Sequence, residues 1–173
     1  MVIWNIIITF AIEQINKVVM SRKKFTPEKI ESLKEMEIFV FGSNVQGEHV
    51  GGAALFAKNN FGAEDGLGFG FQGKSYASPT CIRLWDKKLN RYTKPFDSVL
   101  QIKPFVEAFI SDAKRFKATF YVTKIGCGIA GFKVAEIAEL FRPCLDMENV
   151  ILPKEFVDYL TYVEEEYNKF INN

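Results

Sequence analysis

Histidine is almost missing from this chain: His49 is the only one, and the three cysteines, Cys81, Cys127 and Cys144, stand far apart. Without a CxxC pair or a Cys/His cluster no structural zinc site can assemble, and isolated thiols in odd number suit the reducing cytoplasm better than a disulfide framework. No metal or cofactor is expected. A surplus of one charge is missing as well. The 22 Lys and Arg against 21 Asp and Glu leave a net charge of +1, with both signs interspersed, so there is no broad basic footprint for extended nucleic acid. The third absence is an uninterrupted apolar run. Val2 to Val19 is rich in Ile and Val, yet Asn5, Thr9, Glu13, Gln14, Asn16 and Lys17 interrupt it and no basic residue precedes it. Such a segment is too polar to span a bilayer comfortably and lacks the basic start and small-residue cleavage site of a signal peptide.

The composition, 48% hydrophobic and 25% charged, is that of an ordinary globular domain. A chain of 173 residues buries roughly 70% of its unfolded surface without needing a staple. Seventeen Phe residues supply the core. Residues 25–173 are expected to form one domain, and residues 1–24 an extension to it. Within the extension, Trp4, Ile8, Ile12, Ile15 and Val19 recur at helical spacing, which reads as an amphipathic helix packed on the body or on a partner. A membrane anchor is the lesser alternative. A start at Met20, which would make the preceding residues non-native, is a third.

Along the body, Thr26-Pro27-Glu28 has the N-cap and first-turn proline of a short helix reaching about Glu35. Glu37 to Phe41 is a buried strand, and Val50 to Phe61 a helix that starts on small residues and stops at Gly62. After a glycine-rich stretch, Ser75 to Ser78 is a short strand closed by Pro79, and Cys81 to Pro95 a surface excursion. The one-faced pattern of Ile102, Phe105, Val106, Phe109, Ile110 and Ala113 is helical, and Thr119 to Ile125 is strand-like. A helix from about Lys133, a strand at Asn149 to Leu152, and a last helix with inner face Phe156, Leu160, Val163 and Tyr167 complete the chain. Strands alternating with helices predict an α/β fold with a mainly parallel sheet.

Two strands end in glycine-rich loops that lead into helices: Gly42-Ser43-Asn44 through Gly51-Gly52-Ala53-Ala54, and Gly126-Cys127-Gly128-Ile129-Ala130-Gly131-Phe132. On parallel strands, both loops lie at the carboxyl edge of one sheet, where open α/β folds bind ligands. Glycines let the backbone approach an anion, and unpaired N–H groups at helix starts favour negative charge. Two such loops suit a diphosphate. Gly68 to Ser75 also satisfies GxxxxGK[ST], which makes a P-loop nucleotide hydrolase the alternative. Its context argues against it, since an acidic stretch precedes the motif and Pro79 sits where the helix should run.

These residues resemble a macrodomain. Phe41-Gly42-Ser43-Asn44 with Val50-Gly51-Gly52-Ala53-Ala54 is similar to the family's asparagine-bearing first loop, and Ile125 to Phe132 to its second phosphate loop, nearest a bacterial and phage-associated group. The resemblance spans about Glu37 to Phe156 and implies an α/β fold of three layers, a mixed, mainly parallel sheet flanked by helices. It implies a cleft for ADP-ribose or a derivative, with Gly126, Cys127, Gly128, Ile129, Ala130 and Gly131 holding the diphosphate and Phe132 packing on a sugar or the adenine. Gly42, Ser43, Asn44, Gly51, Gly52 and Ala53 would line the other side. The acidic residue that usually reads the adenine amino group has no counterpart in the sequence pattern. Catalysis, hydrolysing an ADP-ribosyl ester or 1″-phosphate, would use Asn44 to orient a water and His49 or Glu48 to take its proton. A non-catalytic reader is the other reading. Protein partners are not legible.

Overall fold

The computed structural model describes residues 24–86 and 91–172. Its elements run β1 (Glu37–Asn44), α1 (Gly52–Phe61), β2 (Gly70–Gln72), β3 (Ser75–Asp86), β4 (Arg91–Pro95), α2 (Lys103–Arg115), β5 (Thr119–Val122), α3 (Val134–Leu140), β6 (Val150–Ile151) and α4 (Lys154–Ile171). The strands form one sheet in the order β2-β3-β1-β5-β6, with β4 on β3. β3, β1, β5 and β6 run parallel, while β2 and β4 pair antiparallel to β3. The fold is therefore α/β, with a mixed, mostly parallel sheet compatible with three layers.

Alternation along each strand builds the layers. Val40, Tyr76, Phe120 and Val122 face a large core shared with α2, α3 and α4, whereas Phe39, Phe41 and Ala77 face a smaller one under α1. Phe41, Phe109, Phe120, Phe141 and Phe156 are fully buried, each contributing on the order of 2–3 kcal/mol of transfer free energy. The Tyr76 hydroxyl, reaching out of this core, donates to Asp112 Oδ2 at 2.9 Å and ties β3 to α2. Burial first, and then the Asp112 carboxylate, push the phenol far above its ordinary value.

Four expectations need correction. Residues 26–35 form no helix. Thr26 satisfies itself on the far end of the chain instead, its N–H donating to Leu152 O at 2.9 Å and its hydroxyl to Ile151 O at 2.7 Å. The strand at Ser75 does not close at Pro79 but continues to Asp86. Pro79 sits between the stretch paired with β2, which ends at Ala77, and the stretch paired with β4, which begins at Cys81, so its missing N–H interrupts neither ladder. The supposed surface excursion is the β3–β4 antiparallel pair. Finally, α4 buries Phe156 and Leu160, but Tyr167 is 64% exposed.

Among the described residues no helix is long and apolar enough to cross a membrane. The readings made of residues 1–23 fall outside the described residues.

Candidate functional site

β1 and β5 are neighbours and parallel, so the loops that follow them leave from the same sheet edge. The two loop starts nearly touch: a Cβ on Gly42 would stand 3.5 Å from Gly126 N and 3.6 Å from Thr80 Oγ1. Between the loops lies a cleft of about 210 Å³. Gly42, Ser43, Asn44, Gly51, Gly52 and Ala53 line one side, and Gly126, Gly128, Ile129 and Ala130 the other, with Thr80 and Thr123 on the floor side. A second chamber of about 320 Å³ adjoins it and shares Gly52, Ala53, Thr123 and Lys124. This chamber is largely apolar, walled by Ile30, Phe39, Phe56 and Pro153, and its polar residues are Thr26, Glu28, Lys29, Thr123, Lys124 and Glu155.

The first loop is held from behind. Ser43 Oγ donates to Gly68 O, and a Cβ on Gly68 would fall 2.4 Å from Asn44 O and 2.5 Å from Val45 O. Only glycine lets these backbones come so close. Part of the glycine-rich stretch before β3 is thus a backing for the first loop. The Asn44 amide is equally engaged, its Nδ2 donating to Glu48 O at 2.7 Å and its Oδ1 accepting from Glu48 N at 3.0 Å. That pair of bonds closes the turn into α1, leaving one N–H and one lone pair for other work. Gly51 is the extended residue before α1, no side chain caps the helix, and its first turn holds no acid. The first backbone bond at this end runs from Leu55 N to Gly51 O at 3.2 Å, so the N–H groups of Gly52, Ala53 and Ala54, residues that line the cleft, precede it and have no partner within the helix.

The second loop is built differently. Gly126 holds φ 75°, and a Cβ there would meet Ile137 Cδ1 at 3.0 Å. The turn is closed by Cys127 N to Lys124 O at 3.1 Å, Gly131 N to Gly128 O at 2.9 Å and Phe132 N to Gly126 O at 3.0 Å. Its helix start is less inviting to an anion than the sequence suggested, because the first turn carries the Glu136 carboxylate, whose Oε2 accepts from Lys133 N, the residue before the helix, at 2.9 Å. Any anion held on this side is held by the turn itself.

Three expected ligand residues and one catalytic candidate lie elsewhere. Cys127 and Phe132 pack against the large core, because they follow the tight turn inward behind Gly126, and Gly131 serves the turn at φ 74°. Burial pushes the Cys127 thiol up to about 11, so it is a protonated, poor nucleophile at neutral pH. His49 is fully buried, its ring edge-on to Phe41 with centroids 5.2 Å apart, and neither ring nitrogen has a hydrogen-bond partner in the structure. It does not line the cleft; its backbone N–H is anchored to Asp65 Oδ1 at 3.4 Å. Glu48 does line the cleft.

Residues 68–75 adopt no phosphate loop. Gly70–Gln72 and Ser75–Ala77 pair antiparallel across the turn at Gly73 and Lys74, so there is no strand-to-helix cradle. Lys74 Nζ donates to Leu33 O at 3.1 Å and Lys34 O at 3.4 Å.

Sequence reasoning missed the whole second chamber. Thr26, Glu28 and Ile30 fall in the stretch read as a short helix, and Glu155 carries no signal of its own. Only the pairing of residue 26 with the end of β6 brings them together. At the seam between the chambers, Lys124 Nζ meets Glu155 Oε1 at 2.8 Å. That contact holds the Glu155 carboxyl below and the Lys124 ammonium above their ordinary values. Among the described residues no group of three or more His, Cys, Asp or Glu is placed to hold a metal ion. No family model matches the chain, and neither do curated proteins or solved structures.

Proposed function

We propose that the paired chambers bind ADP-ribose or a closely related ADP-ribosyl metabolite, in the manner the macrodomain resemblance of the two loops implies. The observation that carries this reading is the continuity of a two-loop cleft with an apolar chamber through Gly52, Ala53, Thr123 and Lys124. A diphosphate lies against the first turn of α1 and the turn at Gly128 to Ala130, where N–H groups and the helix dipole compensate its charge. The adenosine end enters the chamber walled by Ile30, Phe39 and Phe56, with apolar surface for the ring and Glu28 or Glu155 to accept from an exocyclic amine. Lys124 sits at the junction, and the distal ribose lies toward Asn44.

Binding rather than hydrolysis is the activity this arrangement favours. The groups expected to activate water are poorly placed for it: Asn44 spends two of its bonds closing a turn, and His49 is buried away from the cleft. The hydrolase reading rests on Glu48, which lines the cleft beside Asn44. Calorimetry against ADP-ribose, ATP and NAD in parallel tests the proposal. ADP-ribose should give saturable heat and raise the melting temperature by mass action, and neither response at saturating ligand would overturn it. Release of product from an ADP-ribosyl ester that is lost in Glu48→Gln, with affinity kept, would make the protein a hydrolase.

A further inference from the structure

The last helix carries an apolar stripe that outruns the body it packs on. Phe156, Leu160, Val163, Tyr167 and Phe170 follow one another at helical spacing, with Ile171 beside them. Phe156 and Leu160 are fully buried, Phe156 lying 5.8 Å from Phe141 between ring centroids. Farther along, the same stripe emerges: Tyr167 is 64%, Phe170 81% and Ile171 57% exposed. α4 is 18 residues long, about 27 Å at the helical rise, so its final turns present an uncovered apolar face.

Where the described chain begins is the second observation. Thr26 is pinned to Leu152 and Ile151, the Phe25 ring lies 5.9 Å from Lys154 Nζ, and Lys24 shares a pocket wall with Val157. The residues before Lys24 therefore leave from beside the first turn of α4. They hold a stripe of the same kind, Trp4, Ile8, Ile12, Ile15 and Val19, over a length of about 24 Å if helical. Charge agrees as well: residues 1–24 carry a net +3 and α4 a net −3. A helix of this length standing alone is marginal in water, and four side chains are far too small a patch for a stable interface between free partners, which needs about 800 Å² a side. Tethering removes that requirement by supplying a high effective concentration.

We infer that residues 4–19 dock as an amphipathic helix antiparallel to α4, their apolar stripe covering Val163, Tyr167, Phe170 and Ile171. The docking is independent of the cleft and of its ligand.

Hydrogen exchange on the full chain and on a chain starting at Met20 tests this. In the full chain the amides of residues 163–171 should be protected at least about tenfold more strongly than in the shorter one. That difference should not change with protein concentration. Ile12→Asp with Ile15→Asp in the full chain should abolish the extra protection, and Glu13→Gln, off the stripe, should keep it. Equal protection in both chains overturns the inference. So does extra protection that rises with concentration, since the occupant is then a second copy, or protection that survives the double aspartate variant.

Discussion

The two loops that face each other across the cleft look alike in sequence and are built on opposite principles. The first is a frame of side-chain bonds around an open helix start: Asn44 clasps Glu48, Ser43 clasps Gly68, and α1 begins without a cap. The second is a self-closed turn followed by a helix start that carries the Glu136 carboxylate, with Gly126 locked against Ile137. Glycine content alone does not say where an anion goes. On the first side it is the helix N-terminus that is free, and on the second only the turn between Gly128 and Ala130.

This difference is broken most directly at glycine. Gly126→Val forces a β-branched residue into a left-handed conformation and pushes its side chain onto Ile137. The expected loss is about 2–5 kcal/mol in urea denaturation, from backbone strain and overpacking together. Gly128 has open space around its would-be Cβ and no positive φ. Gly128→Val should hold stability within about 1 kcal/mol while weakening ADP-ribose by more than about tenfold in calorimetry. Equal stability of the two variants would mean that the second loop is not organised around Gly126.

Next in size is the clasp of the first loop. Asn44→Ala removes both bonds to the Glu48 backbone and should cost about 1–3 kcal/mol, with ligand affinity falling in step because the approach to α1 loosens. Asn44→Asp keeps an acceptor for Glu48 N and should recover roughly half of that loss. An alanine variant of unchanged stability would return Asn44 to the role of water-orienting group.

A smaller effect belongs to the start of α3. Glu136→Ala should cost about 1 kcal/mol as the cap is lost and leave ADP-ribose affinity unchanged. A gain in affinity would show the uncapped helix reaching the ligand, and the contrast between the loops would then be one of occupancy rather than design.

Much of the site was legible in sequence, and the gaps have physical causes. The continuous apolar run of EIFVF marked a strand buried on both faces, and the 3.6 period from Ile102 to Ala113 marked a helix buried on one. Two glycine loops after buried strands then placed the cleft. What local reading could not supply was the competition for each polar group. Thr26 caps no helix because the carbonyls of Ile151 and Leu152, at the other end of the chain, take its donors. His49 turns inward onto Phe41, and Phe132, half-buried, packs on the margin of the large core. The second chamber joins residues near 28, 53, 124 and 155, a long-range coincidence with no local signature. Pro79 misled for a related reason, since a strand that changes partners along its length can spare the one N–H that proline lacks.

The smallest expected effect tests whether the second loop carries chemistry of its own. Cys127 is its one ionisable side chain before Phe132, and burial raises the thiol from an ordinary value near 9 to about 11. A thiol harder to ionise folded than unfolded contributes stability fully present below about pH 9. That contribution is lost as pH rises from 9 toward 11, because the unfolded chain is first to release its proton. Cys144, raised to about 12, adds a second loss of the same sign. The urea midpoint of the native protein should therefore fall across pH 9–11, and Cys127→Ala should fall less steeply, the two curves diverging by less than about 2 kcal/mol at the upper end. Alkylation of Cys127 should be slow at pH 7.5 and quicken with pH throughout this window. Rapid labelling at neutral pH, with no divergence between the curves, would reveal a stabilised thiolate in the second loop and make that loop a reactive element rather than a closed turn.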